Sequence, residues 1–137
     1  MKKPKILFIC YGNVCRSAMA KYIADEFYGD RAEADSCGTH SSLPFIELWQ
    51  PTIEALREIN IDMSDHQPKH IDKVKEKFDI VINMSPFDNE ILKARNKHLK
   101  DAQWEYWSVR DPGGLPLSDQ RAVRDVLIEK IKNLLFT

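Results

Sequence analysis

The chain has 137 residues, of which 43% are apolar and 30% are charged, and its formal net charge is −1. This length predicts one domain, residues 1–137, large enough to bury a core of its own. The near-zero charge gives no reason to expect nucleic acid as a partner. No stretch has the length and apolar character of a membrane span, so we expect no membrane partner either.

The cysteine count and the first residues indicate the compartment. Three cysteines are an odd number, which argues against a disulfide framework and for a reducing environment. Residues 1–4 are basic, but the apolar run that follows, residues 6–9, is too short for a secretory signal peptide and predicts a strand. We therefore expect a cytoplasmic protein.

The first predicted elements are a strand, a tight loop and a helix. Residues 4–9 form a largely apolar run, as in a strand covered on both faces, and apolar residues recur at helical spacing from Arg16 to about Tyr28. Backbone N–H groups of a loop that enters a helix converge on one point, where the helix dipole adds about half a positive charge. The predicted anion-binding loop consists of Cys10, Tyr11, Gly12, Asn13, Val14, Cys15, Arg16 and Ser17.

Two residues give this loop its predicted chemistry. The spacing places the Cys10 thiol at the floor of the loop and the Arg16 guanidinium at its rim. A planar fork of N–H donors suits the oxygens of a tetrahedral oxyanion, and the positive field favours a thiolate over a thiol. Cys10 is therefore predicted to be a nucleophile at neutral pH, the alternative being a small buried apolar residue.

The rest of the chain alternates between strand and helix patterns. The further predicted strands are residues 32–39, 79–84 and 103–109. One predicted helix has Pro51 in its first position, and two more cover residues 71–77 and 88–98. The last predicted helix is long and is capped by Ser118. This order predicts an α/β fold, an open parallel four-stranded sheet with helices on both faces, whose ligands bind outside the carboxyl ends of the strands.

Residues 10–17, with Met19 and Ala20 after them, resemble the phosphate-binding loop of the low-molecular-weight protein tyrosine phosphatases. They equally resemble the loop of the related thioredoxin-linked arsenate reductases. The resemblance extends over nearly the whole chain, since residues 32–39 resemble the Ser-Ala-Gly-Thr segment of the family and residues 61–66 its Asp-x-Ser-x-His loop. It implies a phosphocysteine intermediate on Cys10.

The resemblance also implies roles for single residues. Residues 110–114 follow the last predicted strand, and Asp111 in them corresponds to the general acid of the family. Arg16 and the backbone N–H groups from Tyr11 onward would hold the oxygens of the transferred group. His66 would hydrogen-bond Asn13 and support its strained backbone, the alternative being an exposed loop histidine.

Three further residues have more than one interpretation. Ser17 either donates a hydrogen bond to the Cys10 thiolate or caps the helix, or does both. In the family, the residue at Cys15 is a possible redox partner that closes a reversible disulfide with the nucleophile under oxidant, although it may equally only pack in the loop. Cys37 lies where the family usually has a small residue and is expected to pack.

The segment of residues 40–50 differs most from the family pattern. Phe45, Leu48 and Trp49 either line one wall of a substrate cleft or belong to the core. Tyr11 and Trp49 are candidates for ring contacts with a substrate.

The sequence leaves the reaction open between two enzymes and a binding module. Gly113-Gly114 stand where the phosphatases usually have aromatic residues, and residues 107–114 and 121–125 look more like the reductases. However, no cysteine follows Cys37, and residues 84–91 lack the second pair of cysteines that the thioredoxin-linked enzymes need.

The main prediction is therefore a cysteine-dependent phosphomonoester hydrolase of the protein tyrosine phosphatase type. Its expected substrate is a phosphorylated protein or a small aryl phosphate, phosphate-like oxyanions inhibit it, and it needs no metal ion or other cofactor. The alternative is an arsenate reductase in which Cys15 or an external thiol, such as glutathione or mycothiol, is the redox partner. A third possibility is an oxyanion-binding module without catalysis.

Overall fold

The computed structural model describes residues 2–40 and 48–136. In chain order the strands are β1 (Lys5–Cys10), β2 (Glu33–Gly38), β3 (Ile80–Asn83) and β4 (Gln103–Tyr106). The helices are α1 (Arg16–Tyr28), α2 (Gln50–Arg57), α3 (Asn89–Arg95) and α4 (Leu117–Leu135), and two 3-10 turns cover Ile71–Lys73 and Lys97–Leu99.

The four strands form one sheet in the order β2-β1-β3-β4, and every neighbouring pair is parallel. Strand β1 lies in the interior of the sheet, where Ile6 pairs with Ala34 of β2 and Ile80 of β3. Because all strands run in one direction, their carboxyl ends meet at one edge. The predicted fold class, a parallel four-stranded sheet within an α/β fold, is confirmed.

Apolar cores cover both faces of the sheet. Ile6 and Phe8 pack with α1, α2 and α4 on one face, whereas Leu7 and Ile9 pack with Leu92 of α3 on the other. Successive strand residues point to opposite faces, so one apolar run serves both cores. Among the described residues, no helix combines the length and the apolar character that crossing a bilayer requires.

Several predicted boundaries are wrong, and the largest error concerns residues 71–77. Only Ile71–Lys73 are helical, as a 3-10 turn, and Val74 is already extended with φ −91° and ψ 108°. Val74 and Phe78 both pack in the core beneath β1, and the Asp79 backbone N–H donates to Lys5 O at 2.9 Å. The chain is therefore drawn out along the sheet to enter β3, and this tertiary demand outweighs the helical pattern.

The other corrections are local. Strand β4 ends at Tyr106 and not at residue 109, because its partner β3 is only four residues long. Helix α4 begins at Leu117 after Pro116, so Ser118 lies in the first turn and is not the cap. Helix α2 begins at Gln50, which makes Pro51 its second residue, a position that needs no backbone donor either.

Candidate active site

The described residues place the candidate nucleophile and its arginine at the carboxyl edge of the sheet. Cys10 is the last residue of β1 and Arg16 the first of α1, and the two residues are 2% and 8% exposed. The loop after β4 brings Asp111 to the same edge, with Oδ2 3.6 Å from Arg16 Nη2. An open cavity of about 350 Å³ lies here, lined by Tyr11, Arg16, Met84, Ser85, Pro86, Tyr106 and Asp111.

Hydrogen-bond donors surround the Cys10 sulfur. The Asn13 backbone N–H donates to Sγ at 3.3 Å, and Ser17 Oγ lies 2.9 Å from Sγ. Ser17 Oγ accepts a bond from Asn13 Nδ2 at 2.8 Å, so its own proton is available to the sulfur. Donors aimed at the sulfur stabilise the anionic form, which is the nucleophilic one. Ser17 thus occupies the position in which it can support a thiolate, and no side-chain cap bond is formed at the start of α1.

Asn13 is the centre of the loop's hydrogen bonds. It is fully buried and has a φ of 57°, a left-handed conformation that asparagine tolerates better than most residues. Its Nδ2 donates to Ser36 Oγ at 2.9 Å as well as to Ser17, and its Oδ1 accepts from the Lys69 backbone N–H at 3.0 Å. The buried, bonded side chain fixes a backbone conformation that the loop would otherwise not hold.

His66 supports Asn13 from the loop between α2 and the first 3-10 turn. Its Nε2 lies 2.7 Å from Asn13 O, and because a carbonyl only accepts, Nε2 carries the proton and donates. His66 is 7% exposed, and burial lowers its pKa below the ordinary value of 6.5. The structure therefore contains the contact with Asn13 that the resemblance implies, made by the backbone oxygen of Asn13.

Arg16 is oriented by the neighbouring strand ends. Its Nη1 donates to Met84 O at 2.7 Å and to Val109 O at 3.1 Å. Its Nε is buried and has no hydrogen-bond partner in the part of the chain that the structure describes. A buried N–H without an acceptor is costly, so an anion seated in the loop would satisfy a donor that the protein leaves unused.

Asp111 is more exposed than the rest of the site. Its side chain is 57% accessible, and Oδ1 accepts from the Gly113 backbone N–H at 2.9 Å. A Cβ on Gly113 would come 3.1 Å from Asp111 Oδ1, and Gly114 has a φ of 75°. The two glycines thus have a local explanation, since they form a tight turn around the Asp111 carboxylate.

The two other cysteines are buried thiols. Cys15 is 3% exposed, its Sγ lies 3.4 Å from Thr52 Oγ1, and burial raises its pKa to about 11. Cys37 is fully buried in β2, packs in the core with Leu7 and Ile9, and burial raises its pKa well above the ordinary value. Both therefore carry their protons near neutral pH.

The three residues that were candidates for a cleft wall or for the core have different environments. Phe45 lies outside the described residues, Leu48 packs against the core, and Trp49 Nε1 donates to Leu115 O at 2.9 Å, in the loop after Asp111. Neither Leu48 nor Trp49 lines the described cavity.

Two tyrosines line the cavity, Tyr11 and Tyr106, and only Tyr11 was identified from the sequence. Tyr11 stacks on His40 with ring centroids 4.0 Å apart, and His40 stacks on Phe87 at 5.7 Å. Tyr106 is half exposed, and its hydroxyl donates to Ser85 O at 3.1 Å. Tyr106 lies in the middle of the predicted strand 103–109, so its place at the carboxyl end of β4 follows only from the structure.

The sequence is similar to a known enzyme family and to several of its members. The sequence model of the low molecular weight phosphotyrosine protein phosphatase family matches residues 5–137. Arsenate reductase 2 of Staphylococcus saprophyticus is 35% identical over 96% of both chains. The arsenate reductase of Staphylococcus aureus is 36% identical over 96% of this chain and 98% of its own.

Solved structures include both kinds of enzyme. An arsenate reductase in the phosphate-binding state is 27% identical with a TM-score of 0.80, covering 96% of both chains. A low molecular weight protein tyrosine phosphatase from T. tengcongensis is 27% identical with a TM-score of 0.81, over 96% of this chain and 97% of its own. An arginine phosphatase from Geobacillus stearothermophilus is 26% identical with a TM-score of 0.77, over 96% of this chain and 90% of its own. The chain belongs to the low molecular weight phosphotyrosine protein phosphatase family.

Proposed function

We propose that this chain is an arsenate reductase that uses Cys10 as its nucleophile and a small external thiol as its reductant. The observation that carries this choice is that relatives 35–36% identical over nearly their full length are named arsenate reductases. The site agrees with it, because arsenate is a tetrahedral oxyanion, and the loop offers converging backbone donors and a buried Arg16 Nε without a partner among the described residues.

The first step would be attack of the Cys10 thiolate on arsenic. An S–As bond forms and one As–O bond breaks, and the departing oxygen takes a proton from Asp111 and leaves as water. Arg16 and the loop N–H groups stabilise the negative oxygens throughout. The product of this step is an arsenate ester of Cys10, in which arsenic is still in the +5 state.

The second step would reduce arsenic. An external thiolate attacks Cys10 Sγ, an S–S bond forms, and the S–As bond breaks with its electron pair going to arsenic, which leaves as arsenite. A second molecule of the thiol then attacks the mixed disulfide and releases the Cys10 thiolate. One arsenate and two thiols thus give arsenite, one disulfide and water.

The reductant is assigned to an external thiol because of the state of the other cysteines. Burial raises the pKa of Cys15 to about 11 and that of Cys37 well above its ordinary value, whereas the attacking group in thiol–disulfide exchange is a thiolate. The chain has three cysteines and all are free. A cycle that depends on free thiols suits a reducing compartment, and we therefore propose the cytoplasm.

The test is arsenite production by the reduced protein with arsenate and each of glutathione, mycothiol and the thioredoxin system. We expect turnover with a small thiol, none in Cys10→Ser, and near wild-type turnover in Cys37→Ser. Turnover that requires thioredoxin alone would contradict the external small thiol. Absence of arsenite with all three would overturn the proposed function.

A second candidate is phosphomonoester hydrolysis, which was the main prediction from the sequence. It is favoured by the lack of any cysteine after Cys37 and by an acid, Asp111, at the mouth of the site. Cys10 would attack phosphorus while Asp111 protonates the leaving oxygen, and water activated by Asp111 would then hydrolyse the phosphocysteine.

Hydrolysis of p-nitrophenyl phosphate, beside Cys10→Ser, tests this candidate. Phosphotyrosine and phosphoarginine peptides would then separate substrate classes, because both a tyrosine and an arginine phosphatase are among the structural relatives. Binding of phosphate or arsenate without turnover of any substrate would favour the third possibility, an oxyanion-binding module.

A further inference from the structure

A buried chain of polar side chains joins the Cys10 loop to the loop that carries Asp111. Thr52 of α2 and Gln120 of α4 are both fully buried. Thr52 Oγ1 lies 3.4 Å from Cys15 Sγ and donates to Gln120 Oε1 at 2.7 Å. Gln120 Nε2 donates to two backbone oxygens of the Asp111 loop, those of Pro112 at 2.6 Å and Leu115 at 3.1 Å.

The available acceptors determine which group donates in each of these hydrogen bonds. Two carbonyl oxygens face one end of the Gln120 amide, so that end must be the NH₂ group, and the other end accepts from Thr52. The single proton of Thr52 is then used, which leaves the Cys15 S–H to donate to Thr52 Oγ1. A buried network in which every member is satisfied holds one arrangement.

Gln120 holds the loop at the residue after the acid. Pro112 follows Asp111 directly, and Leu115 closes the glycine turn by donating its N–H to Pro112 O at 2.9 Å. Both oxygens that Gln120 binds therefore flank the turn that surrounds the Asp111 carboxylate. On the other side of Asp111, Val109 O is bound by Arg16, so the acid lies between two buried attachments.

Other attachments of this loop are weaker. The ion pair between Arg110 and Asp119, at 2.8 Å, involves an arginine side chain that is 66% exposed. Exposed ion pairs contribute little to stability. Trp49 adds one bond to Leu115 O from a side chain that is 39% exposed. The buried amide of Gln120 is therefore the main restraint between Asp111 and α4.

We propose that Gln120, itself oriented by Thr52, is a positioning residue that keeps Asp111 in proton-transfer range of a group bound at Cys10. This rests on the proposed function only in that Asp111 acts as the proton donor, and it applies equally to arsenate and to phosphate esters. Because Cys15 belongs to the Cys10 loop, the same hydrogen-bonded side chains also fix the position of the Asp111 loop relative to the Cys10 loop.

The test is a double-mutant cycle of Gln120→Leu and Asp111→Asn, read in the turnover of arsenate and of an aryl phosphate. Misplacement of a catalytic group costs up to about 100-fold, so we expect Gln120→Leu to lower kcat by about 10- to 100-fold with little change in KM. In the Asp111→Asn background we expect Gln120→Leu to cause no further loss. An equal loss in both backgrounds would mean that Gln120 only supports the fold, and would overturn the proposal.

Thr52 and a neighbouring arginine supply the controls. Thr52→Val removes the hydroxyl and should lower kcat in the same direction, whereas Thr52→Ser keeps the hydroxyl and should restore most of the rate. Arg121→Gln removes the adjacent bonds between α4 and Glu58, and the hydrogen bonds of the Arg121 side chain go to Glu58 and not to Cys15, Thr52 or Gln120, so its rate should match the wild type. A rate for Thr52→Val equal to the wild type would contradict the orienting role of Thr52.

Amide hydrogen exchange separates this proposal from the proposed function. We expect the Leu115 N–H to exchange faster in Gln120→Leu than in wild type, whether or not the protein turns over any substrate. A wild-type protein inactive with arsenate and aryl phosphates would overturn the function, while unchanged Leu115 exchange would overturn the hold of Gln120 on the loop. Should Gln120→Leu fail to fold, Thr52→Val and Gln120→Asn carry both measurements.

Discussion

The two parts of the site are built in opposite ways. The Cys10 loop is a run of consecutive residues whose centre, Asn13, is fully buried and bonded on all sides. The Asp111 side chain is 57% exposed, and its loop is held from outside by Arg16, Trp49 and Gln120. Damage to the first part should therefore lower stability and rate together, whereas loss of the acid should lower the rate alone.

Asp111→Asn should have the largest effect on rate. General acid catalysis contributes about 10²–10⁴-fold, and we expect a loss of that size with arsenate and with phosphate esters of poor leaving groups. Esters of good leaving groups should lose much less. Because the carboxylate is exposed, the thermal unfolding midpoint should stay at the wild-type value in calorimetry. A clear drop in that midpoint would contradict the expectation that loss of Asp111 lowers the rate alone.

Asn13→Ala should lower stability as well as activity. The change removes the bond that Asn13 Nδ2 donates to the buried Ser36 Oγ and the bond that Asn13 Oδ1 accepts from the Lys69 N–H, and it places alanine at a φ of 57°. We expect a loss of about 2–4 kcal/mol in the free energy of unfolding, measured by urea titration. Asn13→Gly tolerates this φ and should lose about 1 kcal/mol less. Equal losses in the two variants would show that backbone strain contributes nothing.

The contribution of His66 should depend on pH. Burial lowers its pKa in the folded protein, so the unfolded chain binds this proton more readily. The stability contributed by neutral His66 is then complete above about pH 6.5 and is lost as the pH falls through the folded-state pKa. The difference in unfolding free energy between wild type and His66→Gln should narrow from about pH 8 to pH 5. A difference that widens on acidification would contradict the lowered pKa.

Trp49→Phe should have the smallest effect. It removes the bond from Nε1 to Leu115 O but leaves the two bonds from Gln120 to the same loop. We expect a loss of about 0.5–1.5 kcal/mol in urea unfolding and almost no change in kcat. A large fall in kcat would mean that Trp49, and not Gln120, fixes Asp111.

The same contrast explains what the sequence could predict. The Cys10 loop is local, so the strand, the loop and the helix start could all be read from consecutive residues, and α1 was predicted with its observed bounds. The fold class followed from alternation of strand and helix patterns. The helix predicted at residues 71–77 failed because packing of Val74 and Phe78 draws the chain out, which no local pattern shows.

Gln120 and Thr52 were missed as supports of the Asp111 loop because their contact depends on how α2 meets α4. Gln120 precedes Val123 and Leu127 on the buried side of α4, and a glutamine in such an apolar stripe is a signal that could have been noticed. Its partner Thr52 comes from a helix 68 residues away in sequence. Contacts of Asn13 with Ser36 and Lys69 likewise cross between elements, so spacing alone does not reveal them.

Ser17 has one hydroxyl proton and two acceptors within reach. Cys10 Sγ lies at 2.9 Å and Cys37 O at 3.2 Å, while Asn13 Nδ2 occupies one lone pair of Oγ. An anionic sulfur attracts that proton more strongly than a sulfur bonded to arsenic, phosphorus or another sulfur. In the proposed reaction, rotation about a single C–O bond would let this proton follow the charge on Cys10, so that Ser17 adapts to a free or an occupied sulfur by moving one hydrogen atom.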